Sequence, residues 1–270
     1  MRRCVACGLI YLSPRPAAAE RAAFYPANYE PHAAAMDRGR RRDIAQRVAL
    51  IKKVGPAPGR VLDVGCATGW LLEALRGRGW KTCGVEPDAD AAALARDRRG
   101  LDVHHGTLRE ARLPDAFFDL VCFWHVLEHA PDPRETLAEA ARVARPGGTL
   151  LVSLPDPGSG MARRFGRHWV GWDVPRHLCL FPRRVLARLL VETGWTDVRL
   201  LTRGGRHWYV TMSLRNWARE HPSAWRRFLA RAAGSSPVKM LTWPVYILAE
   251  RLGRGPNLLA IARRAAPRET

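Results

Sequence analysis

Lysine is nearly absent from this chain. Lys52, Lys53, Lys81 and Lys239 are the only four in 270 residues, so 40 of the 44 basic side chains are arginines. Acid is also scarce: 25 Asp and Glu leave a formal net charge of +19. That excess reads either as a footprint for a polyanion, such as nucleic acid or an anionic membrane surface, or as arginine-biased coding on solvated faces. The arginines cluster only briefly, at Arg40-Arg41-Arg42 and Arg163-Arg164. Scattered charge makes a weaker footprint than a patch, which favours solvated faces over a nucleic-acid partner.

Long apolar runs are missing too. None approaches the roughly 20 residues that a membrane-spanning helix needs, and Met1-Arg2-Arg3 leads straight into Cys4 and Cys7 with no secretory h-region. Six cysteines at irregular spacing do not make a disulfide framework. The expectation is a cytoplasmic protein with reduced thiols. Nothing in the composition fixes its oligomeric state.

What is present is globular: 47% of residues are hydrophobic, enough for one domain with a small appendage. Residues 1–36 read as a cysteine-containing head, and Asp37 to Val54 as a helix with Ile44, Val48 and Ile51 on one face. From 60 to 154 strand and helix patterns alternate. Strands are expected at 60–65, 81–86, 101–105, 118–123 and 148–154, and helices at 69–78, 88–98 and 133–145. Such alternation predicts a parallel sheet covered on both faces. Residues 155–181, rich in Gly, Pro, Trp and His, break the rhythm and read as a long loop or lid. A helix at 183–194 and a strand at 195–202 resume it. Residues 206–252 read as a helical insertion and 253–270 as a closing strand and tail, so 37–205 is the expected main domain.

The most informative stretch is Val61-Leu62-Asp63-Val64-Gly65-Cys66-Ala67-Thr68-Gly69, with Glu86 17 residues after Gly69. A strand ends in a glycine turn, a helix follows, and a second strand ends in an acid placed for ribose hydroxyls. A dinucleotide turn wants G-x-G-x-x-G, but positions 67 and 70 are Ala and Trp. The room that a pyrophosphate needs is therefore missing.

The string Asp63 to Trp70 resembles motif I of the class I S-adenosylmethionine-dependent methyltransferases. Val85-Glu86-Pro87-Asp88 resembles that family's second motif, Phe118 to Cys122 its fourth strand, and Arg145-Pro146-Gly147-Gly148-Thr149-Leu150 its turn before strand five. The resemblance implies a Rossmann-like α/β fold: a seven-stranded, mostly parallel sheet with an antiparallel last strand and helices on both faces. It implies S-adenosyl-L-methionine as cofactor. Asp63, Gly65, Cys66, Ala67, Thr68 and Gly69 would hold its methionine part, and Glu86 with Pro87 the ribose. Gly106, Thr107 and Leu108 would flank the adenine, and Trp124 and His125 would face the methyl-transfer side.

His125-Val126-Leu127-Glu128-His129 stands where the fourth strand ends. A histidine suits removal of a proton from a hydroxyl acceptor. His125 is the leading candidate base and His129 the second; the alternative is that Glu128 and His129 only cap and orient the next segment. V-L-E-H-x-P-D-P resembles the quinone-biosynthesis O-methyltransferases, where an acid precedes the Glu by three residues and the set is associated with a divalent metal. Here His125 holds that position, and no metal is assigned.

The segment Trp169 to Phe181 resembles one that closes over the acceptor in a branch of these methyltransferases. Trp172, Arg176 and His177 are its candidate substrate contacts, with a packed loop as the alternative. Cys4-Val5-Ala6-Cys7-Gly8-Leu9-Ile10-Tyr11 is half of a zinc ribbon and is expected to be frayed. Pro237 to Leu252 is too short to span a membrane but suits peripheral contact with one, a dimer face, or packing on the sheet. The expected activity is O-methylation of a small-molecule acceptor, a glycan sugar or a quinone-like metabolite. The alternatives are an RNA-modifying methyltransferase or nucleic-acid-binding protein, although no N/D-P-P-Y/F motif follows strand four, and a catalytically silent cofactor-binding scaffold.

Overall fold

The computed structural model describes residues 1–25, 36–55, 57–203, 206–220, 223–235 and 255–266, with 237, 238, 240–242, 244, 248 and 252. Within the head, Tyr29, and within the segment Pro237 to Leu252, Trp243, Val245, Tyr246 and Ile247, lie outside the described residues. The chain forms two compact units: Met1–Pro16, Ser153–Ala187 and Leu200–Leu259 in one, and Ala17–Val152, Arg188–Arg199 and Ala260–Thr270 in the other.

The second unit carries most of a seven-stranded sheet. Its strands are β3 (Arg60–Val64), β4 (Lys81–Glu86), β5 (Asp102–His105), β6 (Phe118–Trp124), β7 (Ala144–Pro155), β9 (Trp195–Arg203) and β10 (Asn257–Arg264). Their order is β5-β4-β3-β6-β7-β10-β9, mostly parallel with the antiparallel pairing at the β10–β9 end. Val61, Leu62, Leu120, Val121 and Phe123 are buried, the near-continuous apolar runs of strands covered on both faces. The chain builds β3, β4 and β5 outward in one direction and then returns to place β6 on the other side of β3. The crevice at the carboxyl ends of β3 and β6 is thus a topological switch point, where open α/β sheets bind ligands. Val64 lies in register with both Val85 and Phe123, and Glu86 with His105, so these strands end flush.

The helices are α1 (Arg38–Val54), α2 (Trp70–Arg76), α3 (Ala89–Arg99), α4 (Pro133–Val143) and α6 (Arg183–Glu192). Short polar side chains set their starts. Asp37, Asp88 and Asp132 each accept a backbone N–H three residues on, from Arg40, Ala91 and Glu135, which satisfies donors that a helix leaves open. α4 ends two residues before the expected position and β7 begins four before it. Ala116 and Phe117 donate their backbone N–H to Arg142 O and Val143 O, drawing the last carbonyls of α4 out of the helix.

The first unit differs more from expectation. The head is not frayed: β1 (Arg2–Arg3), β2 (Ile10–Tyr11) and β8 (Cys179–Leu180) form a three-stranded antiparallel sheet. Ile10 and Leu12 are buried, and Ile10 packs with Ala162, Trp169, Leu180 and Tyr209. Nor is 155–181 an open loop. It contains α5 (Gly160–Phe165), capped by Ser159, and 3-10 turns at 166–168 and 170–172. Within 206–252 the helices α7 (Arg206–Glu220) and α8 (Ala224–Ala232) agree with the helical reading. No helix among the described residues is long and apolar enough to cross a membrane.

Candidate cofactor and acceptor site

The turn after β3 folds back onto the end of β4. Gly65 and Cys66 both donate their backbone N–H to Val85 O, at 2.7 and 3.1 Å. Gly65 has φ +71°, and a Cβ there would lie 2.5 Å from Val126 Cγ2. Only glycine permits both the left-handed backbone and this approach to the β6–α4 connection. Gly69, with φ +81°, serves packing instead: a Cβ would meet Leu101 Cδ1 at 2.4 Å and Ala95 Cβ at 3.1 Å.

Glu86 closes the turn from the other side. Its Oε2 accepts Ala67 N–H at 2.8 Å and its Oε1 accepts Asp88 N–H at 2.9 Å. These two bonds fix the orientation of the carboxylate at the mouth of the turn. Asp63 and Thr68 are also buried, and Asp63 Oδ1 and Thr68 Oγ1 have no hydrogen-bond partner among the described residues. Buried polar atoms are rarely left so unless something completes them. Burial pushes the Asp63 carboxyl up to about 7, with the Glu86 charge adding to the rise and the Arg47 charge opposing it. Two acids converging on a glycine turn suit a cation and repel a pyrophosphate. The Cys66 thiol is held well above its ordinary value by burial and by the Asp63 and Glu86 charges, and Cys122 by burial first. Neither is a thiolate nucleophile.

The third wall follows β5. Gly106 N–H donates to Glu86 O, and His105 Nε2 lies 3.2 Å from Pro87 O, tying the two loops together. Thr107 and Glu110 form a reciprocal cap: Thr107 N–H and Oγ1–H both donate to Glu110 Oε2 at 2.7 Å, and Glu110 N–H donates to Thr107 Oγ1. Those backbone and hydroxyl bonds hold the Glu110 carboxyl below its ordinary value. The Thr107 hydroxyl hydrogen is therefore spent on the cap, and Leu108 is buried.

The fourth wall follows β6. The Arg47 guanidinium stands 5.1 Å from the centre of the Trp124 ring. His125 adopts φ +59°, uncommon for a residue with a side chain. Its Nδ1 lies 3.1 Å from Glu128 Oε1. The His125 side chain is 36% exposed and that of Glu128 is fully buried. A carboxylate only accepts, so with Glu128 ionised the shared hydrogen sits on Nδ1 and Nε2 is the ring nitrogen that carries the lone pair. His129 departs from this pair: its Nδ1 is hydrogen-bonded to the Tyr25 hydroxyl at 3.0 Å. Of the two candidate bases, His125 has a carboxylate against its Nδ1, whereas the Nδ1 of His129 meets a phenol. Tyr25 and Arg47 were not picked out from sequence as parts of the site, and Glu128 was read there beside His129 as a residue that caps and orients the next segment. The His-x-x-Glu spacing, which puts both side chains on one face of a turn, was the available signal for Glu128.

The three candidate substrate contacts belong to the other unit. Trp172 Nε1–H donates to Gly166 O at 2.8 Å, and its ring stands edge-on to the buried Trp169. Asp173 ties the remaining two: Arg176 donates to its Oδ1 at 2.6 Å, and His177 Nε2 lies 3.7 Å from its Oδ2. His177 is buried, with Nδ1 2.9 Å from Gly171 O. Gly171 is required there, since a Cβ would strike the Trp169 indole at 2.3 Å.

Residues 36–200 match the profile of a family described as methyltransferase domain. The chain belongs to that family. It is 36% identical over 139 residues to a ubiquinone biosynthesis O-methyltransferase of Hahella chejuensis, covering 48% of this chain and 58% of that protein. It is 32% identical over 143 residues to a malonyl-[acyl-carrier protein] O-methyltransferase of Serratia marcescens, covering 52% and 54%. The chain thus spans little more than half the length of these relatives. Among solved structures, a SAM-dependent methyltransferase from Archaeoglobus fulgidus superposes with a TM-score of 0.54 at 19% identity, over 83% of this chain and 94% of that one. That likeness speaks for the fold alone: a seven-stranded Rossmann-like methyltransferase sheet.

Proposed function

We propose that this chain is an S-adenosyl-L-methionine-dependent O-methyltransferase acting on a small hydroxylated acceptor in the cytoplasm. The observation that carries the cofactor is the grip on Glu86 by Ala67 N–H and Asp88 N–H beside the buried, incompletely bonded Asp63 and Thr68. Glu86, a carboxylate at the end of β4, suits ribose hydroxyls as an acceptor, and Asp63 suits the cationic methionine end. Thr68 Oγ1 offers one further polar contact, and Pro87, Gly106 and Leu108 would border the adenine. When bound, the cofactor supplies a methyl group made electrophilic by its sulfonium.

The chain's own chemical contribution lies in His125. Its Nε2 would accept the proton of the acceptor hydroxyl, leaving an oxygen lone pair for the methyl group that the cofactor would give up from its sulfur, and Glu128 would hold the ring and stabilise the imidazolium that forms. The names of these relatives, both O-methyltransferases but with different acceptors, support oxygen as the atom methylated. The ubiquinone-biosynthesis relative favours a quinone-like acceptor over a glycan sugar. Trp172, Arg176 and His177 are proposed as acceptor contacts.

Incubating purified protein with methyl-labelled cofactor and a panel of catechols and hydroxylated benzoquinones tests this reading. Label transfer to oxygen in wild type, lost in His125→Asn, is the expected result. Transfer that proceeds undiminished in His125→Asn would remove the base from the account.

A further inference from the structure

The first unit exposes apolar side chains where burial is the rule. In α8, Trp225, Phe228 and Leu229 fall at the i, i+3, i+4 spacing of one helical face. That face points outward: the three are 55%, 68% and 43% exposed, while Ala230 is buried. Trp208 on α7 and Met240, Leu241, Leu248 and Leu252 further on are exposed as well. Exposed apolar groups in such number mark an interaction surface.

Charge says which kind. From His221 to Leu252 the sequence holds one acid, Glu250, against Arg226, Arg227, Arg231, Lys239 and Arg251. Arg227 and Arg231 are exposed one turn apart on α8, flanking the apolar stripe. The preceding acid, Glu220, is already paired with Arg167 and His168. A second copy of this face would bring like charges together, whereas an anionic surface with an apolar layer beneath it satisfies both features. Tryptophan, phenylalanine and leucine edged by arginine is the composition of helices that lie in a lipid interface.

We propose that α8 and the exposed apolar groups of 240–252 dock this protein peripherally on an anionic lipid bilayer. Trp225, Phe228 and Leu229 enter the interface, and Arg227 and Arg231 contact headgroups. The proposal does not depend on methyl transfer, because docking is read without cofactor or acceptor.

Flotation of the full chain with phosphatidylcholine vesicles, with and without phosphatidylglycerol, tests it. Wild type should float only with the phosphatidylglycerol vesicles, and less so as salt rises. Trp225→Ser with Phe228→Ser, and separately Arg227→Glu with Arg231→Glu, should each weaken partitioning by at least about tenfold. Both pairs are surface changes, and an unchanged melting temperature and circular dichroism spectrum certify their folds. Absence of wild type from the floated fraction at low salt would overturn the proposal, as would undiminished flotation of the Trp225→Ser, Phe228→Ser protein. A wild-type dimer in light scattering that the same pair of substitutions dissociates would also overturn it, by assigning the face to a second copy.

Discussion

His125 Nδ1 and Glu128 Oε1 stand 3.1 Å apart across one short turn, with the acid fully buried and the histidine at the open end of β6. His125 holds this pairing with a left-handed backbone, φ +59°. Such strained positions concentrate where function holds them in place.

Replacing His125 therefore has a specific expected signature. Asparagine tolerates the same backbone, so His125→Asn should fold normally and lower kcat by about 10²–10⁴-fold, the range of general-base catalysis. Glu128→Gln keeps the shape but not the charge, and should lower kcat by a smaller factor and move the pH–rate profile. Steady-state kinetics over a pH series separates this from simple loss of fold, since a purely structural defect leaves the profile's midpoint in place.

The Asp63 carboxyl, pushed up to about 7 chiefly by burial, makes a prediction with a definite sign. A raised acid pKa means that folding favours the protonated form. The stabilising contribution is full below the ordinary value of 3.8 and is lost as pH rises through about 7. A cationic ligand favours the ionised form and reverses the loss. The melting shift caused by S-adenosyl-L-methionine should thus be larger at about pH 8 than at about pH 6, and Asp63→Asn should flatten that dependence. Equal shifts at both pH values in wild type would remove Asp63 from the cofactor's cationic end.

Gly65→Ala is expected to cost about 1–3 kcal/mol of stability, the scale of a strained left-handed residue. It should also weaken cofactor binding by displacing the turn. Part of the effect comes from Val126, whose Cγ2 would lie 2.5 Å from the new Cβ. Val126→Ala should recover part of the loss in the double variant but none in the single, a coupling that chemical denaturation can read.

What was legible in the sequence is what is local. The turn from Asp63 to Gly69, the acid at 86 and the strand–helix alternation lie within short stretches whose backbone demands show in residue type. The helical tendency of 206–220 and 224–232 was legible for the same reason. What was not legible arrives from a distance. The head holds its place through β8, far along the chain, so its short strands looked frayed when read alone. Tyr25 reaches His129, and Arg47 reaches Trp124, by tertiary packing that no spacing encodes. Glu128 was visible as a residue, but its service to His125 depends on a φ of +59° that histidine rarely adopts.

Calorimetric titration of wild type and Glu86→Ala with S-adenosyl-L-methionine tests the central claim most directly. The account predicts saturable one-to-one binding to wild type and at least about a tenfold loss in Glu86→Ala, the cost of removing charge-assisted hydrogen bonds at a buried site. No binding to folded wild type, or equal affinity in the variant, would contradict it.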